Sequence, residues 1–452
     1  MASGAPLGRL ASAILIAAAL PALGVLALAL PRMAGGAGTD QIVFFGVLPA
    51  LWIVGMGAAL RAPAMARLSV ALLLVSLGVA VVAAEAVLGL WLRGAAVAAT
   101  TSSTLPALLD MRAQGIDAFP RIPGNSLVDL NVEVRGESGS WHPLTSSPGE
   151  TTVVFCNEEG PLVTYAADWA GFDNPREAWS PERVDVVLIG DSYTAGVCVE
   201  SEHALGGQLR TRWPTINLGA SGSGPLQQLA ILREYAAQKT PRVVVWVYYE
   251  GNDLWDFGRE LQRDWLSAYL EPGHLQGLAA NQVEVNAGYR SWIDGQVAEA
   301  SVAAGGAVPQ PPPSPWSPRE IASFSSLRSL LGFEVLVPSR GPVIGRLPEV
   351  LARASDDVAG WGGQLYVAYM PAYARYDALV GEAIAGRRDL FAALESASIP
   401  LIDLDAALRA AGDPKSLWAS PRGHLSPEGY RVAADAIATA IAPRLTDSAS
   451  AP

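Results

Sequence analysis

Four short blocks of this chain hold residue types that could transfer an acyl group. Ser192 lies in Val-Val-Leu-Ile-Gly-Asp-Ser-Tyr-Thr-Ala-Gly, residues 186–196, where an apolar run stops abruptly at Gly190. Such a run reads as a buried strand, so Asp191 and Ser192 fall at its carboxyl end, where open α/β sheets place their chemistry. Gly222 lies in Asn-Leu-Gly-Ala-Ser-Gly-Ser-Gly, residues 217–224, whose glycines let backbone approach a ligand closely with an N–H turned outward. Asn252, in Glu250-Gly251-Asn252-Asp253, offers a side-chain amide. His424 stands in a loop before a helix whose first turn carries Pro427 and Glu428. Acyl transfer needs a nucleophile, a base within reach and donors aimed at the developing oxyanion. Ser192, His424 and the trio of Ser192 N–H, Gly222 N–H and Asn252 side chain would supply all three.

These blocks must be positioned by a common scaffold. The strand candidates are Val184–Ile189, Thr215–Leu218, Arg242–Tyr248, Gln364–Met370 and Pro400–Leu404. Helical stretches are expected over 201–211 (with Ser201 as N-cap), 225–238, 376–396 and 426–442. This alternation implies parallel βαβ units with helices on both faces of a sheet. It lapses over 254–345, an insertion that includes the proline-rich stretch 308–318. So long an insertion suits either a lid or substrate-contacting subdomain on the active face, or a surface excursion. Residues 116–183, rich in Gly, Pro, Asn and Trp, read as an irregular, β-containing lead-in.

The order Gly190-Asp191-Ser192, Gly222, Asn252, His424 resembles the four blocks of the SGNH/GDSL hydrolase superfamily, over about 184–442. The stretches Gly171-Phe172-Asp173-Asn174-Pro175 and Glu250-Gly251-Asn252-Asp253-Leu254 resemble a membrane-anchored bacterial branch of it. The resemblance implies a flavodoxin-like three-layer α/β/α sandwich over 184–445, and the activity of an esterase, lipase, thioesterase or carbohydrate O-acyl esterase or transferase. It implies Ser192 as nucleophile, His424 as base, and Gly222 and Asn252 in the oxyanion hole. One position departs from the family pattern. The acid usually found three residues before the histidine is Pro421 here; 419–423 hold no acid, and Asp413 is the nearest upstream. Either a Ser–His dyad oriented by a backbone carbonyl operates, or a distant carboxylate stands in. Loss of the orienting acid costs about 10⁴ in turnover in serine proteases, which makes slow hydrolysis, or a transferase, credible.

Hydrophobic residues make up 50% of the 452, and mean hydropathy is +0.26. The excess lies in three nearly uncharged runs, 10–30, 42–60 and 68–92, each near the ~20 residues a bilayer span requires. Pro21 and Pro49 are tolerable in spanning helices, and a span of 68–84 would leave Glu85 at the interface. Residues 1–93 are therefore expected to form three transmembrane helices. Arg9 precedes the first run and Arg61 and Arg67 lie between the second and third, while the loop between the first and second holds only Arg32, so the positive-inside rule expects an inner-membrane protein with its large domain outside the cytoplasm. Residues 94–115 read as a flexible linker.

Net charge is −12, with no Lys/Arg run after the spans, which excludes nucleic acid as a partner. The two cysteines, Cys156 and Cys198, could pair in an oxidising compartment. Four histidines without paired spacing give no metal site, and no phosphate- or dinucleotide-binding fingerprint occurs, so no cofactor is expected. Of 13 tryptophans, Trp255 and Trp418 adjoin the blocks and would either line the cleft or pack. Together these features favour a membrane-anchored serine esterase acting on an ester-bearing envelope glycan or lipid-linked sugar, with acetyl the foremost acyl group. The alternatives are an O-acyltransferase fed by a membrane acyl-donor partner, and a degenerate glycan-binding module.

Overall fold

The computed structural model describes residues 4–33, 43–101, 104–156, 162–305, 341–376, 386–420 and 423–446. They divide into an N-terminal unit through Val97 and an α/β unit from Ala98 onward.

In the N-terminal unit, two helices are long and apolar enough to cross a membrane, with spans Leu7–Ala27 and Ala64–Glu85. Both expose much of their apolar surface, Leu20 and Leu73 among it, a surface suited to lipid rather than water. Over the third expected span stands a shorter apolar helix, Leu48–Arg61, of 14 residues; the π-helical turn Val43–Val47 runs directly into it, so helical backbone covers the run read as 42–60 from Val43 on. Pro49 starts the α-helix, because a ring without an N–H is tolerated in the first turn. The flexible linker is also corrected. Residues 94–101 continue the helix Ala64–Thr101, and Thr104–Ala113 forms another, as an alanine-rich sequence favours.

The α/β unit opens with small strands. β1 (Ala118–Pro120) pairs parallel to β4 (Thr152–Cys156), β4 antiparallel to β5 (Val163–Ala166), and β2 (Val134–Arg135) antiparallel to β3 (Ser140–Trp141). The main sheet is built from β6 (Val186–Gly190), β7 (Thr215–Gly219), β8 (Val243–Tyr249), β9 (Gln364–Met370) and β10 (Leu401–Asp403). Their spatial order is β7-β6-β8-β9-β10, all parallel. That is the 2-1-3-4-5 order of flavodoxin-like sheets, whose switch point falls between the first and third strands, here β6 and β8.

Both faces of this sheet are covered, which is why its strands read as unbroken Val/Ile runs. Alternate side chains enter opposite cores. Val187, Ile189, Val244 and Trp246 pack with the helices Pro225–Ile231 and Leu347–Gly360. Val186, Leu188, Val243 and Val245 pack with Leu205–Arg210, Leu404–Ala410 and Pro427–Thr446.

Two boundaries differ from expectation. The helix after β6 begins at Leu205 with Ala204 as its cap; Ser201 instead donates to Asp173 at 2.8 Å. Of the helix expected over 376–396, Arg387–Ser396 is helical, and 377–385 lie outside the described residues. The insertion is folded and packed up to Gly305. Its helix Gln282–Gly305 buries Tyr289 and Ile293 in the same core as the lead-in's Phe119 and Leu144. Tyr289 donates to the Thr145 carbonyl, and Arg290 pairs with Asp117. The proline-rich stretch 308–318 lies outside the described residues.

Candidate active site

β6 delivers Ser192 through a turn that only glycine permits. Gly190 has φ +150°, and a Cβ there would lie 2.6 Å from the Val247 carbonyl oxygen. Asp191 then caps the four-residue helix Ser192–Ala195 by accepting the Tyr193 N–H at 3.0 Å, as its position suggested. The Ser192 hydroxyl lies 3.3 Å from the other Asp191 oxygen. Ser192 is 8% exposed and Asp191 fully buried. Burial pushes the Asp191 carboxyl up to about 6, opposed by the Tyr193 N–H and then by the charge of His424. The Ser192 N–H also lies against this carboxyl, which shifts the weight of any oxyanion hole onto the other two donors.

The Gly222 loop is tied to the end of β6. The Ala220 N–H and the Ser223 hydroxyl both donate to the Gly190 carbonyl, at 3.0 and 3.2 Å. Gly222 itself has φ +70°, and a Cβ there would approach Pro123 at 3.1 Å and Asn125 at 3.3 Å. These last residues belong to the lead-in, which therefore closes over this loop. The Gly124 N–H donates to the Ser221 carbonyl at 2.7 Å, and the Arg121 guanidinium donates to the Ser221 hydroxyl. Nothing in the sequence pattern marks Arg121 or Asn125 as neighbours of Gly222; the pairing spans about a hundred residues of chain.

β8, at the switch point, delivers Asn252. Its side-chain oxygen is buried without a hydrogen-bond partner. Asn252 as a whole is half-buried, and an unpaired buried polar atom costs ~1–3 kcal/mol. The two ends of a carboxamide are interchangeable in assignment; with the nitrogen at that position, a bound oxyanion or carbonyl would offset the cost. Behind it, Glu250 accepts from the Arg375 guanidinium, the Ala372 N–H and the Tyr369 hydroxyl. Four buried carboxyls, those of Asp191, Asp253, Asp256 and Glu260, underlie these loops. Asp253 accepts the Tyr249 N–H at 2.9 Å; Glu260 accepts Gly224 and Leu226 N–H at 2.6 and 2.9 Å. Burial drives Asp256 up to about 7, Glu260 up to about 8, and Asp253 well above the ordinary carboxyl range.

His424 approaches from the loop before the last helix. Its ring centroid lies 4.9 Å from that of Tyr193, the residue after the candidate nucleophile. Ser192, Gly222, Asn252 and His424 thus emerge at the same edge of the sheet. Pro421 lies outside the described residues. Trp418 is 5% exposed and donates to the Tyr193 hydroxyl at 3.2 Å, so it packs rather than lining the cleft. Trp255 is 56% exposed beside Asn252, with the Arg259 guanidinium over its ring. Cys198, at the end of the nucleophile's loop, is disulfide-bonded; Cys156 is the chain's other cysteine.

Among the described residues, a cleft of about 1010 Å³ lies elsewhere, lined by Glu150, Trp169, Asp173, Trp179, Ser201 and Arg210. Its polar groups are largely paired with one another: Asp173 with Ser201, Trp179 with Asp168, Arg210 with Asn174. It holds none of the four blocks.

No family model and no curated protein matches this chain. Among solved structures, the chain is similar to one titled TesA, at 13% identity and TM-score 0.32, over 57% of this chain and 99% of that one. A member of the lipolytic G-D-S-L family from Veillonella parvula gives 14% identity and TM-score 0.31, over 57% and 98%. An acetyl xylan esterase gives 13% and 0.32, over 57% and 99%.

Proposed function

We propose that this chain is a membrane-anchored serine esterase of the SGNH/GDSL type that removes O-acyl groups, acetyl foremost, from an envelope glycan or lipid-linked sugar. The observation that carries the reading is the convergence of Ser192, Gly222, Asn252 and His424 at the switch-point edge of a 2-1-3-4-5 parallel sheet, with the Asn252 side-chain oxygen buried and unpaired.

In this reading the Ser192 Oγ attacks the ester carbonyl carbon as His424 takes its proton. The carbonyl oxygen becomes an oxyanion held by the Gly222 N–H and the Asn252 amide. Collapse breaks the bond to the alkoxy group, which leaves as an alcohol with the proton from His424. Water, deprotonated by His424, then attacks the acyl-enzyme and releases the acid. Placement outside the cytoplasm is supported by the arginine asymmetry of the spans and by the disulfide at Cys198, since disulfides persist in oxidising compartments. A glycan substrate rests on that placement and on the exposed Trp255 face beside Asn252. A second reading, acyl transfer to a polysaccharide hydroxyl, is favoured by Pro421. Without an acid there, deacylation by water would be slow, and a bound sugar hydroxyl could compete.

The test uses full-length protein in detergent micelles, with p-nitrophenyl acetate and a fluorophosphonate probe. Hydrolysis and labelling that both vanish in Ser192→Ala are the expected result. Labelling with negligible hydrolysis until a glycan acceptor is added would establish the transferase instead. A wild-type protein that is folded yet takes no label would reject both.

A further inference from the structure

We infer that Tyr193, with Trp418 behind it, is the positioning device that orients His424 in place of the acid this sequence lacks at position 421. The inference rests on the proposed roles of Ser192 and His424.

Both peptide groups flanking His424 are held. On one side, the Tyr193 hydroxyl donates to the Gly423 carbonyl at 3.0 Å, fixing the plane that leads into His424. On the other, the His424 carbonyl accepts the Ala419 N–H at 2.9 Å, within a short antiparallel bridge between Trp418 and Leu425. With both planes fixed, the direction of the His424 Cα–Cβ bond is fixed. The Tyr193 ring, 4.9 Å from the imidazole and inclined at 45°, then limits rotation of the side chain.

Tyr193 is itself immobilised. The Trp418 indole N–H donates to its hydroxyl at 3.2 Å, and the Tyr249 ring lies against it at 4.2 Å. Tyr193 and Trp418 are 2% and 5% exposed. Because Tyr193 follows Ser192 directly, the residue that orients the base is bonded to the nucleophile's own backbone. Any shift of the turn would move both together.

A phenol can orient an imidazole but brings no negative charge to an imidazolium. The Asp191 carboxyl, on the other flank of Ser192, is within electrostatic reach of His424, and in this reading it supplies that charge. The acid's two tasks, orientation and charge, are thus divided between the residues on either side of Ser192.

The experiment is steady-state hydrolysis of p-nitrophenyl acetate by the full-length chain in detergent, with thermal melting followed in parallel. Tyr193→Phe keeps the ring and removes only the hydroxyl. Misplacing a catalytic group by an ångström costs up to about 10²-fold, so kcat should fall roughly 10- to 100-fold, with KM and melting temperature near wild type. Trp418→Phe should lower kcat in the same direction. The double variant should be no slower than Tyr193→Phe, because the two act through one chain of hydrogen bonds. Unchanged kcat in Tyr193→Phe, effects of the two substitutions that multiply, or a loss that tracks lowered melting temperature would each overturn the inference while leaving the esterase reading intact. Absence of Ser192 acylation in the wild type would overturn that reading and this one together.

Discussion

At the scale of single residues, the Asn252 amide makes the most direct claim on a ligand. A buried, unpaired carboxamide oxygen destabilises the free protein, so truncating the side chain should leave stability unchanged or slightly raised. The same truncation removes the amide N–H proposed as an oxyanion donor, a loss of about 10²–10³ in kcat. Asn252→Ala is therefore expected to lower kcat by that factor while the melting temperature holds. A parallel fall in both quantities would show that the amide is structural. The meeting of Ser192, Gly222 and Asn252 at one edge of the sheet was legible in the sequence because each sits in a local pattern of glycines and polar residues just after a strand. Tyr193, Trp418, Arg121 and Arg375 were not. Their partners lie about a hundred or more residues away, and a tyrosine after a serine carries no local signature of what its hydroxyl will meet.

At the scale of elements, the five main strands were readable because burial on both faces demands continuous Val/Ile runs. Gln364–Met370 matches its expected bounds, and the other four shift by one or two residues. Helix starts read less well. Ser201 has the side chain of a cap, yet its hydroxyl bonds Asp173, and tertiary contact overrides the local preference. The stretch 94–101 reads as a linker by its glycine and threonines, yet its alanines carry the helix through Thr101. One element-level contact has a measurable consequence. Glu250, between β8 and Asn252, pairs with Arg375 just after β9, and both side chains are 2% exposed. Removing one partner of such a pair strands a buried charge and costs ~3–5 kcal/mol. Arg375→Leu should lower the urea midpoint accordingly, and adding Glu250→Gln should recover much of the loss. A single variant as stable as wild type would show that the pair contributes nothing to stability.

At the scale of the whole molecule, the row of buried carboxyls makes stability depend on pH in an unusual sense. Burial, the largest cause in each case, raises Asp191 and Asp173 to about 6, Asp256 to about 7 and Glu260 to about 8, from ordinary values of 3.8 for aspartate and 4.5 for glutamate. A carboxyl raised in the folded state holds its proton more tightly there than in the unfolded chain. Its contribution is therefore fully present below the unfolded value and is lost as pH rises through the folded one. The native state binds more protons throughout that window, so unfolding free energy should fall by up to about 1.4 kcal/mol per pH unit for each proton involved. His142 works the other way, since burial lowers it and its contribution is lost as pH falls, but it is one group against these four and Asp253, raised in the same direction. Urea denaturation of the full-length chain in detergent should thus show greatest stability near pH 5 and a decline towards pH 8. Glu260→Gln, which removes the site that titrates highest of these four, should flatten the upper part of that decline. Stability that rises from pH 5 to 8 would mean that these carboxyls are ionised in the fold, paired with charge that their surroundings do not reveal.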